Sequence, residues 1–237
     1  MRPCWPQTPY RRWTGPYLGA YVGTQWGDQS WSFNNGAGPT GTTDFAGTII
    51  GGQAGYNVQV GRTVFGIEGE YGGSNARGGE GGASCPNVPV IAATTFPFYT
   101  CEAEVNRLAA LTGRLGYTWG RALFYAKGGV AAGEVAAAKV PSTPSPTAFG
   151  VPVVPVPLAA AVSESNWQVG WTAGVGMEFA LTDRWSAKAE YSHYELGRDS
   201  FTTFVGDLGT RVDTRGDNVR IGINLHLHPV QREVPLK

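Results

Sequence analysis

The residue types that most often carry out catalysis do not form a recognisable pattern in this sequence. Ser192 and His193 are the only adjacent nucleophile and base. Covalent catalysis needs the base within hydrogen-bond reach of the nucleophile, but neighbouring residues of a strand face opposite sides. The G-x-S-x-G motif of serine hydrolases is also absent. We therefore predict that the chain is not an enzyme and has no catalytic residues.

The cysteines indicate a disulfide rather than a metal site. The chain has three cysteines, and neither a CxxC pair nor a cysteine–histidine cluster with zinc spacing occurs. Cys85 and Cys101 bracket a stretch rich in Gly, Pro and Thr, and in an oxidising compartment they could form a bridge. The alternative is two unrelated thiols, and Cys4 is left over in either case. We expect no metal and no cofactor.

A more informative pattern is the alternation of charged and apolar residues. Residues i, i+2 and i+4 of a strand share a face, and in several segments one face is apolar while the other carries acids and bases. These charged faces contribute Glu68, Glu70, Arg114, Lys127, Glu178, Lys188, Glu190 and Arg220. Buried charges are costly unless paired, so four acids and four bases are the balance expected of an enclosed network.

Eight strand-like segments carry this alternation. They are residues 16–25, 47–60, 63–72, 104–119, 122–135, 163–181, 184–196 and 217–227. Most are longer than the five or six residues usual in a globular strand, and a tilted strand that crosses a membrane needs about 9–11. The first segment has no charge on either face, so its orientation cannot be assigned.

The connections between these segments alternate in length. Three are short, at 61–62, 120–121 and 182–183, and four are long, at about 26–46, 73–103, 136–162 and 197–216. Short turns at one end and long loops at the other are typical of an outer-membrane barrel. We predict an all-β, eight-stranded antiparallel up-and-down transmembrane barrel over residues 13–227. The long loops are then extracellular, and residues 1–12 and 228–237 are tails outside the barrel.

A soluble lipocalin-like barrel is the alternative, with its charged faces outward and an apolar cavity. Glycine, which accounts for 35 of 237 residues, favours the membrane form because it recurs on the polar face, where a narrow lumen has little room. Aromatic residues near the strand ends form a candidate interfacial girdle. It comprises Tyr56, Tyr71, Tyr117, Trp119, Trp167 and Trp185.

Composition excludes several other kinds of partner and segment. The chain has 18 basic and 18 acidic residues, which disfavours a nucleic-acid partner, since phosphate binding needs clustered bases. The first residues contain no apolar segment of signal-peptide length, so we expect no signal peptide here. A transmembrane helix is not expected, because the longest apolar run, 151–162, contains three prolines.

Several segments resemble small outer-membrane β-barrels of alphaproteobacteria, which are called outer-membrane immunogenic or porin-family proteins. The matching segments are 13–23, 49–59, 64–74, 111–133, 170–197 and 219–227. GWTAGVGMEFALTDRWSAKAEYSHYELG, at 170–197, is the most specific. The resemblance implies an integral outer-membrane barrel with both termini in the periplasm and outer-membrane lipid around it. Two features differ from the family pattern: no signal peptide is visible in the first residues, and the tail HPVQREVPLK follows Leu227.

Gly222, Leu225 and Leu227 of the last strand resemble the G-x-x-Φ-x-Φ assembly signal of this family. It predicts recognition by the outer-membrane assembly machinery. For function we favour a non-enzymatic envelope protein that displays its loops at the surface. A small-solute or ion channel is the alternative, although an eight-stranded lumen is just wide enough to be filled by side chains. A further alternative is loop-mediated binding to another membrane protein.

Overall fold

The computed structural model describes residues 12–33, 41–78, 98–142, 147–148, 151–152, 162–201 and 210–227. All the regular elements in these ranges are strands. They are β1 (Gly15–Phe33), β2 (Gly41–Val60), β3 (Thr63–Gly78), β4 (Phe98–Trp119), β5 (Ala122–Ser142), β6 (Thr147–Ala148), β7 (Val151–Pro152), β8 (Val162–Ala180), β9 (Trp185–Phe201) and β10 (Thr210–His226). None of the described residues forms a helix that is long and apolar enough to cross a membrane.

Eight of the strands close into one antiparallel barrel, in the order β1-β10-β9-β8-β5-β4-β3-β2. The two terminal strands complete the closure, with Tyr17 of β1 opposite His226 of β10. The two-residue strands β6 and β7 pair only with each other. The predicted all-β, eight-stranded, up-and-down barrel is confirmed.

Short turns lie at one end of the barrel, which we call the turn end. The β2–β3 and β4–β5 turns occupy residues 61–62 and 120–121. Gly61 and Gly120 have φ angles of 61° and 60°, a left-handed conformation that glycine adopts without steric cost. In the third turn, the Thr182 hydroxyl accepts a hydrogen bond from the backbone N–H of Trp185 at 3.0 Å.

At the opposite end, which we call the loop end, the strands run further than the sequence predicts. Strand β2 begins at Gly41 rather than 47, β4 begins at Phe98 rather than 104, and β5 continues to Ser142 rather than 135. The predicted loop bounds 26–46, 73–103, 136–162 and 197–216 are therefore too wide. These extensions are poor in alternating large apolar residues, yet their backbone pairing continues beyond the apolar part of the wall. The central parts of all four connections lie outside the described residues.

The two faces of the barrel are inverted relative to a soluble protein. Large apolar side chains cover the outer wall, with Ile50, Ile221 and Leu111 exposed by 66%, 61% and 58%. Inside, glutamates, lysines, arginines and amides are buried. A soluble barrel would show the opposite distribution, whereas a membrane barrel turns its apolar face to lipid. For β1, which the sequence left unassigned, Leu18 and Val22 face outward and Tyr17 and Tyr21 face inward.

The lumen is filled in layers. At the turn end, a small apolar cluster of Trp13, Val64, Leu123, Tyr125 and Ala180 is buried. The charged residues lie next to it. Towards the loop end, a second apolar cluster that includes Phe45, Ile49 and Leu196 shares the interior with the buried amides Gln25, Gln29 and Gln168. The charged layer is therefore enclosed from both ends.

Candidate functional site

The eight charged residues that the sequence placed on polar strand faces lie together in one buried cluster. Its members come from strands β3, β4, β5, β8, β9 and β10, and each of them is buried. We call this cluster the lumen network. Because the four acids and four bases balance, the network is neutral without any bound ion.

Lys127 is a central cation of the lumen network. Its ammonium nitrogen lies 2.7 Å from a Glu70 carboxylate oxygen, 2.7 Å from Glu190 and 3.3 Å from Glu68. Lys188 lies beside the same three acids, at 3.6 Å from Glu70, 3.4 Å from Glu190 and 3.9 Å from Glu68. Two ammonium groups thus contact the same three carboxylates, of which two stand on β3 and one on β9.

Arg114 joins the remaining acid to this group. One guanidinium nitrogen lies 3.3 Å from Glu68, and the other lies 3.2 Å from Glu178. Glu178 is also held by the Ser186 hydroxyl, which donates to it at 2.5 Å, and by the His226 ring nitrogen at 3.1 Å. Both oxygens of the Glu178 carboxylate therefore have a partner inside the barrel.

Arg220 connects opposite walls of the lumen. Its guanidinium contacts Glu190 on the adjacent strand β9 and reaches Glu70 on β3 at 3.2 Å. Strands β10 and β3 are not neighbours, since β1 and β2 lie between them on the shorter way round. This ion pair therefore crosses the interior.

Tyrosine rings complete the lumen network. The Tyr17 hydroxyl donates to Glu68 at 2.7 Å and accepts a hydrogen bond from Arg114 at 2.7 Å, while the Tyr125 hydroxyl donates to Glu190 at 2.8 Å. The Arg114 guanidinium also lies over the Tyr125 ring, 3.9 Å from its centroid. The Arg220 guanidinium likewise lies over the Tyr21 ring, 4.8 Å from the ring centroid.

The inner-wall glycines lie where these rings need space. A Cβ atom on Gly176 would stand 2.5 Å from the Tyr125 ring, and one on Gly55 would stand 2.3 Å from the Tyr17 hydroxyl. A Cβ on Gly51 would similarly meet Tyr21 at 2.5 Å. The glycine excess on the polar face thus has a specific steric cause, because each tyrosine lies against a bare backbone.

A metal ion is not needed to explain the acid cluster. Oxygen atoms of Glu68, Glu70 and Glu190 lie within 4.8 Å of one another, a spacing at which they could hold a cation. The Lys127 ammonium already contacts all three. We therefore assign the cluster to ion pairing.

The predicted girdle residues all face outward, at two levels. Tyr56, Tyr117, Trp119 and Trp185 lie near the turn end, whereas Tyr71 and Trp167 lie further up their strands. Trp26, Trp171 and Tyr191 are exposed on the outer wall as well. Beyond them, ion pairs such as Arg77–Glu104 at 3.0 Å and Arg107–Glu134 at 2.9 Å mark the polar loop end.

Three further predictions concern the assembly signal, the disulfide and the adjacent residues Ser192 and His193. Gly222 and Leu225 lie near the end of β10 and Leu227 directly follows it, but their recognition by the assembly machinery stays a prediction. Of the candidate disulfide, Cys85 lies outside the described residues, as does Cys4, and only the backbone of Cys101 is described. Ser192 and His193 face opposite sides: Ser192 is buried and donates to Glu190 at 3.2 Å, whereas His193 is on the outer wall.

The candidate site residues from the sequence did not include several residues that contact the lumen network. Tyr17 and Tyr21 were missed because β1 carries no charge that identifies its inner face. Tyr125 shares a face with Lys127, so alternation could have indicated it. Ser186 lies two residues before Lys188 and His226 lies six residues after Arg220, so alternation also places both on an inner face. The pairing of β8 with β9 and of β9 with β10 then brings them to Glu178.

The chain is similar to known outer-membrane proteins in sequence and in fold. Residues 6–226 match the family described as outer membrane protein beta-barrel domain. A 31 kDa outer-membrane immunogenic protein of Brucella melitensis is 28% identical over 226 residues, covering 90% of this chain and 82% of that protein. A 22 kDa outer membrane protein of Rhizobium leguminosarum is 23% identical, covering 92% and 81%. Among solved structures, the outer membrane protease OmpT of Escherichia coli superimposes with a TM-score of 0.51 at 9% identity, covering 93% and 98% of the two chains, which indicates a shared fold alone.

Proposed function

Because this chain belongs to the outer membrane protein β-barrel family and is an integral protein of the outer membrane, we propose that it is a non-enzymatic envelope protein. In this proposal the barrel is a rigid, closed anchor, and the long connections at the loop end are displayed outside the cell. The observation that carries the proposal is the ion pair between Arg220 and Glu70, which joins opposite walls of the lumen at 3.2 Å.

The contacts of the lumen network support a structural role for it. Lys127 links β5 to β3 and β9, and Arg114 links β4 to β8, so ion pairs cross the interior in several directions. Buried pairs of this kind are strongly destabilising to break, since one charge is then left uncompensated. A network with so many shared partners would hold the register of six strands at once.

The same contacts argue against steady conduction. A pore needs a continuous wet path, but Tyr17, Tyr125 and Arg114 pack against one another within the charged layer. The apolar cluster around Leu123 and Trp13 covers that layer at the turn end. An eight-stranded barrel has an interior that side chains can fill, whereas porins with 16–18 strands leave a channel.

One observation bears on the channel alternative. The interior near the loop end is lined by neutral amides, and the side chains of Gln29 and Gln168 make no hydrogen bond with any described residue. Such groups are normally satisfied by water. This supports a wet vestibule that stops at the charged layer, rather than a through-going path.

Planar-bilayer recording tests the closed lumen. We expect no discrete conductance steps from the unmodified protein at high protein load. The double variant Glu70→Ala/Arg220→Ala, which removes both members of the cross-lumen pair, is the matched positive control and should raise the frequency of openings. Regular conductance steps from the unmodified protein would overturn the closed-anchor proposal.

Surface display is tested by the topology of the two ends. An epitope tag inserted after residue 205, within the last long connection, should be accessible to antibody on intact cells. The same tag inserted in the 182–183 turn should become accessible only after the outer membrane is opened. The reverse result would place the loop end in the periplasm and would refute the proposed display.

A further inference from the structure

The turn end of the barrel is basic. The three short turns and the residues just before β1 carry Arg12, Arg62, Arg121 and Arg184, which are all exposed. Asp183 is the one acid that the described residues add there. Four arginines against one aspartate leave this end with a net charge of +3, whereas the lumen network above it is neutral.

An apolar groove lies on the outer wall next to this basic end. It has a volume of about 680 Å³ and crosses strands β4, β5 and β8. Ala126 forms its floor, because the register partners of this alanine, Leu115 and Val175, stand on either side with longer side chains. Tyr117 and Phe124, which pair with each other, border the groove towards the turn end. A groove with such walls accepts hydrocarbon.

The groove lies at the depth of lipid acyl chains. Ala126 is four residues from Ala122, the first residue of β5. At a rise of about 3.3 Å per residue and a tilt of about 40°, this is roughly 10 Å above the turn end, in an apolar band about 25 Å tall. Gly128 continues the bare floor along β5, since the nearest atom to a Cβ built there is 3.7 Å away.

One arginine of the turn end is joined to the groove by a hydrogen bond. Arg62 Nη1 donates to the Tyr117 hydroxyl at 3.2 Å, and Tyr117 lines the groove. Because the hydroxyl accepts this bond, its own O–H can be donated to a third group. A guanidinium and a hydroxyl so close together can both contact one phosphate group, and arginine suits phosphate geometry well.

The charge of the turn end selects among lipids that carry a phosphate. A zwitterionic headgroup adds an ammonium, which a basic surface repels, whereas an anionic headgroup is attracted to each nearby arginine. Arg121 brings a second cation to the outer wall, where its guanidinium lies 5.8 Å from the centroid of the Phe179 ring on β8. The surroundings of the groove therefore favour a lipid of net negative charge.

We propose that Arg62, Tyr117 and the groove over Ala126 bind one anionic glycerophospholipid in the leaflet at the turn end. The phosphate contacts the Arg62 guanidinium and the Tyr117 hydroxyl, and one acyl chain lies in the groove between Leu115 and Val175. Phosphatidylglycerol is a convenient probe of this lipid class. The proposal uses the outer wall alone, so it does not depend on whether the lumen is closed.

Native mass spectrometry of the full chain tests this selectivity directly. The protein is released from mixed micelles that contain equimolar phosphatidylglycerol and phosphatidylcholine of matched acyl chains. We expect the unmodified protein to retain phosphatidylglycerol about fivefold more than phosphatidylcholine, the factor that corresponds to one arginine near an anionic lipid surface. Equal retention of the two lipids would overturn the proposal without any variant.

Substitutions at the headgroup end locate the phosphate. Arg62→Gln should abolish most of the preference, and Tyr117→Phe, which removes only the hydroxyl, should reduce it. Arg184→Gln removes the same charge at the third turn, where the Arg184 carbonyl accepts a hydrogen bond from His226 of β10 at 2.8 Å, and should retain the preference. An equal loss in Arg62→Gln and Arg184→Gln would show diffuse attraction to the basic end and would overturn the assigned site.

A substitution in the floor tests the groove itself. Ala126→Phe should fill the groove and lower the retention of phosphatidylglycerol. Ala20→Phe is the matched control, because Ala20 is also exposed and its strand β1 lies four strands from β5 in either direction round the barrel. Heat-dependent gel mobility checks that each barrel is folded. Unchanged retention by folded Ala126→Phe protein would refute the groove, and a protein dimer that Ala126→Phe dissociates would assign it to a second copy instead.

Discussion

The guanidinium of Arg114 on β4 lies 3.2 Å from the carboxylate of Glu178 on β8, although 64 positions separate the two residues. Strand β5 stands between β4 and β8 in the barrel. The contact therefore passes over the inner surface of an intervening strand. It exists only in the closed barrel, where curvature brings the inner faces of next-neighbour strands together.

Replacement of Arg114 by leucine should destabilise the barrel strongly. The change leaves Glu68 without one of its cations and removes the only described arginine at Glu178, so an uncompensated charge stays buried. We expect a loss of about 3–5 kcal/mol in the free energy of unfolding, measured by urea titration in detergent. Arg77→Leu, at a side chain that is 75% exposed, is the control and should change stability little. A variant as stable as the parent would contradict the structural role of the network.

The pair Lys127 and Glu190 should show energetic coupling. Their charged atoms lie 2.7 Å apart, and both side chains are fully buried. Lys127→Met and Glu190→Gln each unbalance the network, whereas the double variant restores neutrality. We expect the double variant to be more stable than the sum of the single effects by about 1–3 kcal/mol in the same titration. Additive effects would show that the two residues act independently.

Glycine on the inner wall should be needed for the tyrosine rings. Valine at Gly176 would place its Cβ 2.5 Å from the Tyr125 ring and displace that ring from Arg114. We expect Gly176→Val to lower stability by about 1–3 kcal/mol, as overpacked cores do. Gly73→Val is the matched control, because nothing lies within 4 Å of the added Cβ. Equal thermal midpoints for the two variants would refute the steric explanation.

A charge on the outer wall should be costly in lipid. Ile221 is 61% exposed and lies five residues from the turn end of β10, so it faces the middle of the apolar band. We expect Ile221→Arg to reduce stability by about 2–4 kcal/mol in phosphatidylcholine vesicles. Ser165→Arg, near the loop end of β8, should have a much smaller effect. If Ile221→Arg were tolerated as well as Ser165→Arg, this face of the barrel would not be in contact with lipid.

Much of the architecture could be predicted from local patterns. Strand alternation identified eight strands and the charged inner face, because side chains of successive strand residues point to opposite sides whatever the tertiary context. The short turns were also readable, since Gly61 and Gly120 mark positions of left-handed backbone. The limits of the strands towards the loop end were not, because backbone pairing continues there without an apolar face.

The amino-acid sequence by itself determined which residues face inward on the charged strands, and that their charges balance. Only the tertiary structure decided that Tyr17 and Tyr21 belong to the lumen, that Arg220 reaches Glu70, and that His193 meets Asp217 on the outer wall. The physical reason is that alternation is a property of one strand, whereas register and curvature are properties of the closed sheet. Hydrogen bonds between strands set the height of each residue, and closure then determines which of them meet across the barrel.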